Sequence, residues 1–231
     1  DAYGDLETAL TSVRALPDSG AGGAVLVSLH CPAFNEALCA LVARGFPFVV
    51  VDQTLSEIAA PSVSSDNTAG GASAAGAVIA AGHRHLAFVG DLDASTTRAR
   101  LAGVNAAARR AGLGSVLVID LCENDRLGDW APQIHRAVIR AINAKPRPTA
   151  LVCSCDAVAR GAYHTLRELQ VAVPGDVSVV GFDDDPIAEW LTPALSTIRQ
   201  DFTTIGHEAM EALLAVFADS KSAPGSRLVP V

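Results

Sequence analysis

"TALVCSCDAVARGAYHTLRELQVAVPGDVSVVGFDDD", residues 149–185, places two short apolar runs on either side of a helical stretch. "ALVC" and "VSVVGF" are continuous rather than alternating, the pattern of strands covered by helices on both faces. The stretch therefore predicts strands over 149–153 and 177–182 with a helix over 156–169 between them. Strand–helix–strand units of this kind build a parallel sheet.

The same alternation runs outward along most of the chain. Further strands are expected near 24–29, 48–52, 86–90 and 116–120, and helices near 5–16, 34–44, 67–81, 98–111, 132–143 and 203–218. In the helix over 98–111, Leu101, Val104 and Ala108 recur at the spacing of one buried face, while Arg98, Arg109 and Arg110 fall outside it. Near 132–143, Ile134, Val138, Ala141 and Ile142 do the same.

Two features divide this α/β fold into two doubly wound parallel-sheet lobes. Residues 65–85, "SDNTAGGASAAGAVIAAGHRH", form a helix of small residues that Asp66 or Asn67 can cap, and "LAFVG" after it opens a second run of units. Much later "TPALSTIRQD" reads as a Pro-marked extended crossing that returns the chain to the first lobe before a final helix. One subdomain is thus expected over 1–66 plus about 199–219, and the other over 67–198 plus about 220–231. No internal repeat or low-complexity linker interrupts the pattern.

Composition narrows the function. The net charge is −8 and Lys and Arg form no run, which argues against a nucleic-acid-binding face on this segment. The longest apolar runs, "AVLVSL" and "FPFVVV", are strand-length and far short of a bilayer span. The five cysteines (Cys31, Cys39, Cys122, Cys153, Cys155) are odd in number and mostly set in apolar runs, as free thiols in a reducing cytosol would be. No signal peptide opens the chain, which starts at Asp1 without Met, so a cleaved leader or further protein is expected before it.

In an open α/β sheet, ligands sit beyond the carboxyl ends of the strands. Here the apolar runs end at Leu29-His30, Asp52-Gln53, Asp91 (with Ser95, Thr96 and Thr97 shortly after), Cys155-Asp156 and Asp183. With two facing lobes these polar groups would converge on one ligand cleft, where Asp and Arg make planar hydrogen bonds and an aromatic face covers apolar surface. Arg100 and Trp130 are available for such roles. Of Asp183, Asp184 and Asp185, three neighbours on an extended turn point in different directions, so Asp183 alone is expected to face a ligand. Asp184 and Asp185 are expected to serve as turn or cap residues.

Four motifs together resemble the effector-binding core of the LacI/GalR transcriptional regulators. They are "DNTAGG" before "GHRHLAFVGD", "TTRARLAG", "CD" closing a strand, and "VPGDVSVVGFDDDPIAEWLTPALSTIRQDFTTIGHEAMEALL". The resemblance covers roughly residues 20–218, and its C-terminal block is the most specific part. It implies a periplasmic-binding-protein-like fold of type I that binds a small polar effector, a sugar or a sugar derivative. It further implies a homodimer in the cytoplasm that reads operator DNA through a separate helix-turn-helix head. Site residues carry over by position. Arg100 matches the family's ligand-gripping arginine and Asp183 its ligand-binding carboxylate. Asp156 closes a polar pair, Trp130 lines up with an aromatic position near the ligand, Thr96 falls in a pocket-lining loop, and Asp66 lies near the hinge side.

Two departures stand out. The family core normally begins with a strand, a helix and another strand ahead of the point where this chain starts. Cys155 also stands where Asn is frequent, while remaining close enough to touch a ligand. A transport-system sugar-binding protein shares the fold, but the cysteines and "STIRQD" favour the regulator. An enzyme using the aspartates with Mg²⁺ is the other rival. Neither a G-x-S-x-G elbow nor a P-loop occurs, and "GASAAG" lacks the context of a dinucleotide fingerprint, so no cofactor or catalysis is expected. Cys153-Ser154-Cys155 without a second ligand pair, and His83 and His85 in a turn, are expected to hold no metal.

Overall fold

The computed structural model describes residues 5–27, 31–53, 58, 60–121, 130–218 and 225–231. These divide into two compact units, one of residues 1–65 with 201–229 and one of 66–200 with 230–231. The two sheets, of four and five strands, are parallel throughout. This is the doubly wound α/β class expected from the continuous strands.

The first unit carries β1 (Ala24–Val27), β2 (Phe48–Val51), β3 (Ser62–Ser65) and β9 (Arg227–Val229), in that spatial order. On one face α1 (Leu6–Ala15) and α2 (Pro32–Ala43) bring Val13, Phe34, Leu38 and Leu41 against Phe48 and Val50. On the other, α8 (Phe202–Ala218) brings Ile205, Ala209 and Leu213 against Val49, Val63 and Val229. Residues 28 and 29, expected to continue β1, and His30 lie outside the described residues.

Two strands of this sheet have no apolar run to announce them. "SVSS" of β3 is fully buried, and its Ser62 Oγ meets Ser226 Oγ at 2.8 Å just before β9. Residues 220–231 are expected in the second subdomain; β9 instead pairs with β3. Arg227 Nη1 donates to Glu208 Oε2 on α8 at 2.6 Å, so a side-chain ion pair and a ladder hold three residues that are too short to signal themselves.

The second unit carries β4 (Leu86–Gly90), β5 (Leu117–Asp120), β6 (Ala150–Cys153), β7 (Ser178–Asp183) and β8 (Ser196–Arg199), in the order β5-β4-β6-β7-β8. α3 (Asn67–Ala80) and α4 (Ser95–Arg110) pack on one face with Phe88, Val152 and Val180. α5 (Trp130–Asn143) and α6 (Asp156–Glu168) cover the other with Val89, Leu151 and Val179. Adjacent residues of one strand thus enter two different cores, which is why "LAFVG" and "ALVC" have no polar positions. Phe88 is fully buried, a contribution of about 2–3 kcal/mol.

The segment "STIR", expected as an extended crossing, adds β8 to the sheet edge beside β7. A single turn, α7 (Ile187–Trp190), joins the two strands.

At Gly71 and Gly103 the helices α3 and α4 meet backbone to backbone. A Cβ at Gly71 would stand 2.0 Å from the Arg100 carbonyl oxygen, and one at Gly103 2.0 Å from that of Thr68. Glycine at both positions lets the two backbones touch. That contact sets the depth at which α4 presents Arg100.

Candidate functional site

β4 and β6 are neighbours in space, yet β4 leads to β5 on one side and β6 leads to β7 on the other. This is the switch point of a doubly wound sheet, where helices diverge to opposite faces and a crevice opens at the carboxyl ends of the strands. Gly90 ends β4 there, and a Cβ on it would lie 2.5 Å from the Ser154 side chain. The close approach of the two strand ends therefore needs the glycine.

Arg100 reaches this point from α4 with 5 % of its surface exposed. Its Nε donates to Asn67 Oδ1 at 2.7 Å and its Nη1 to the Ser154 carbonyl at 2.5 Å. Nη1 also stands 3.6 Å from Asp183 Oδ1, and the guanidinium carbon lies 3.7 Å from the centre of the Phe182 ring. A buried guanidinium is costly unless it is paired and hydrogen-bonded. Here an amide, a carbonyl, a carboxylate and an aromatic face share that task.

Asp183 is the last residue of β7, and its Oδ1 also accepts from Gln200 Nε2 at 2.7 Å. Its backbone has φ +121 and that of Asp184 has φ +61, so the chain turns through the left-handed region directly at the carboxylate. Asp184 Oδ2 accepts from Arg199 Nε at 2.5 Å, and Asp185 Oδ1 accepts from the Ile187 amide at 2.9 Å. The three aspartates thus separate into one that faces Arg100, one paired to β8, and one that starts α7.

Asp156 lies beneath this turn, 1 % exposed. Its Oδ1 accepts from Thr197 Oγ1 at 2.6 Å and its Oδ2 from the Asp185 amide at 2.9 Å. Burial pushes its carboxyl above the ordinary aspartate range, partly offset by the hydrogen bonds from Thr197 and from the amides of Asp185 and Phe182. Cys155, next to it, has its thiol pushed up by burial and by the Asp183 charge, and burial raises the Cys153 thiol as well. Both sulfurs are therefore held as thiols, without the thiolate character of a nucleophile.

The other expected residues fall around this centre in different ways. Thr96 is expected in a loop, but α4 starts at Ser95 and Thr96 is buried in its first turn. Arg98 Nη1 binds the carbonyls of Leu92 and Asp93, both at 2.7 Å, which fixes the preceding loop and lets the helix begin early. Asp66 caps α3 through Oδ1, accepting from the Ala69 amide at 2.9 Å, while its neighbour Asn67 meets Arg100. Trp130 opens α5 with 37 % of its surface exposed, and Gly128 and Asp129 before it lie outside the described residues. Asp91 Oδ1 accepts from the Asp93 amide at 2.8 Å.

Asn67, Ser154, Thr197 and Gln200 are the partners that composition and spacing do not reveal. Each acts through a contact distant in sequence, and Ser154 acts through a backbone carbonyl that any residue would supply. The "DN" and "STIRQD" motifs contain three of them, but without a fold nothing in the residues says which partner each one meets. His83 is a structural link, its two ring nitrogens 2.9 Å from Thr149 Oγ1 and 2.9 Å from Ser178 Oγ. Among the described residues no three His, Cys, Asp or Glu side chains are placed to hold a metal ion.

A guanidinium stacked on a buried aromatic ring and set beside a carboxylate offers donors and acceptors within one small region. That set suits a neutral, hydroxyl-rich molecule, whose vicinal hydroxyls can accept from Arg100 and donate to Asp183. The chain is similar to known proteins of one kind. A family profile described as a periplasmic binding protein-like domain matches residues 75–231. The ribose operon repressor of Haemophilus influenzae is 32 % identical over 181 residues, covering 75 % of this chain and 51 % of that protein. The HTH-type transcriptional repressor PurR of Escherichia coli O1:K1 is 32 % identical over 202 residues, covering 85 % of this chain and 58 % of that protein. A solved LacI-family regulatory protein from Chloroflexus aggregans superposes with a TM-score of 0.78 at 25 % identity, covering 100 % of this chain and 80 % of that one.

The chain belongs to the periplasmic binding protein-like domain family, as an effector-binding core of the LacI/GalR type. It spans about half the length of the curated relatives it matches.

Proposed function

We propose that this chain is the effector-sensing domain of a bacterial transcription regulator, and that a small sugar is its effector. The observation that carries this reading is the Arg100–Asp183 pair, 3.6 Å apart at the carboxyl end of the second sheet and backed by Phe182. Ribose is the first candidate, because a relative of 32 % identity is a ribose operon repressor. Both curated relatives are repressors, which favours a regulator over a transport-system sugar-binding protein and reversible binding over catalysis.

In this reading Arg100 and Asp183 grip effector hydroxyls, and Cys155, Thr96, Trp130 and Asp66 are proposed as further lining residues. Asp156 is treated separately below. An effector that contacts one conformation better than another shifts the population toward it, and that shift would change operator affinity through a DNA-binding head outside this chain. Two operator half-sites need two heads, so the working form is proposed to be a cytoplasmic homodimer. The reading is tested by thermal denaturation against a panel of sugars and nucleosides. Ribose at about 100 times its Kd should raise the midpoint by about 5–10 °C, since such saturation adds about 2.7 kcal/mol. No shift with any sugar would overturn the ligand class.

A further inference from the structure

We infer that Asp156 is a positioning residue that holds the Asp183 carboxylate in place, and not a group that touches effector. This rests on the reading of Arg100 and Asp183 as the effector grip.

Three features of the structure converge on it. Asp156 is 1 % exposed, against 27 % for the Asp183 side chain, so it lies behind that carboxylate. Its two oxygens are committed to β8 and to the turn, taking the Thr197 hydroxyl at 2.6 Å and the Asp185 amide at 2.9 Å. The same Thr197 Oγ1 lies 3.4 Å from the Asp184 amide. Asp156 therefore reaches the amides of both residues that follow Asp183, one directly and one through Thr197.

Those two residues are where the backbone needs support. Asp183 and Asp184 are non-glycine residues at φ +121 and +61, a conformation that L side chains hold only when surrounding contacts impose it. Gly181 makes the support possible. A Cβ there would fall 2.0 Å from Asp156 Oδ1, so the carboxylate can pass β7 only where the strand has no side chain. Gly181 is also paired with Thr197 in the ladder. The strand that bears the effector-facing carboxylate, the edge strand beside it and the turn between them are thus tied to one buried oxygen pair.

Asn at position 156 can keep one acceptor oxygen but not two, and Val at 197 removes the shared hydroxyl while conserving shape. Asp156→Asn and Thr197→Val should each weaken ribose binding about tenfold or more, read by calorimetry, because a lost hydrogen bond to a charged group is worth about that factor. Thr197→Ser, which keeps the hydroxyl, should restore affinity to near wild type. In both weakened variants amide hydrogen exchange at residues 184 and 185 should accelerate, with protection over 86–90 of β4 unchanged.

A residue that served only general stability would lower the midpoint without changing ribose affinity well below it, and that result would overturn the inference. The exchange measurement needs no ligand. If the wild-type protein fails to bind ribose, the proposed ligand is wrong, yet unchanged exchange at 184 and 185 in Asp156→Asn would still overturn the positioning role.

Discussion

Arg100 and Asp183 do different work at one site, and substitution should separate them. Asp183 accepts a side-chain bond from Gln200 besides its approach to Arg100, and its side chain is 27 % exposed. Asp183→Asn should abolish the ribose-dependent midpoint shift and lower the ligand-free midpoint less than Arg100→Ala does, because it keeps an acceptor for Gln200 but removes the charge that faces Arg100. Arg100 is also part of the fold. Arg100→Ala would leave Asn67 and the Ser154 carbonyl without their donor in a buried setting, at a cost of about 1–3 kcal/mol for each orphaned group. It should lose the ligand response and unfold at a lower temperature, whereas Arg100→Lys should recover some stability but not the response, because an ammonium cannot reproduce the planar fork. Asp156 carries a pH signature. Its carboxyl is raised in the folded protein, so the stability it adds is present at acid pH and is lost as pH rises above the ordinary value of 3.8. Asp5, Asp18 and Asp201 are lowered, by hydrogen bonds from Thr8, Arg44 and Thr204 respectively, so their contributions are lost as pH falls. Those three are common to wild type and Asp156→Asn. The stability of the variant relative to wild type should therefore rise with pH above 3.8, read from urea unfolding across the acid range.

At the level of elements, the seam between α3 and α4 makes the sharpest prediction. Gly103→Ala would drive a methyl group against the backbone of Thr68, where nothing flexible can yield. A loss of about 3 kcal/mol is expected from such overpacking, read as a midpoint lowered by about 6–12 °C. The same scale shows what a linear chain reveals. β4, β6 and β7 are legible because both of their faces enter apolar cores, and the start of α3 follows from its capping Asp66. β3, β8 and β9 are not legible in this way. "SVSS" is polar and buried, "STIR" is an edge strand with two exposed positions, and "RLV" is three residues held by a neighbour and an ion pair. Their pairing energy comes from partners far away in sequence. The site divides likewise. Asp183 stands out at a strand end and in a family motif and Arg100 through the family motif alone, while the roles of Asn67, Thr197 and Asp156 appear only when the contacts form.

For the whole molecule, charge sets the expectation. With a net charge of −8 and a pI near 5.1, this chain should not retain duplex DNA even at low salt, a condition that favours phosphate contacts. Fluorescence anisotropy with labelled duplex at about 50 mM salt checks this, and tight, salt-sensitive retention would place a DNA surface on the domain itself. No helix among the described residues is long and apolar enough to cross a membrane.

On the proposed sugar-binding reading, the glycine seam also bears on attempts to turn the domain into a biosensor. Mutant libraries are usually aimed at every residue near the ligand, but Gly71 and Gly103 fix how deep α4 sits and therefore where Arg100 ends. Changing them would move the grip and the scaffold together, so most such clones would be lost before any new specificity could be selected. Diversity is better placed at the proposed lining residues Thr96, Cys155 and Trp130, with the seam and the Asp156–Thr197 link left as wild type. In that sense two missing methyl groups mark the border between what selection can vary in this sensor and what it must inherit.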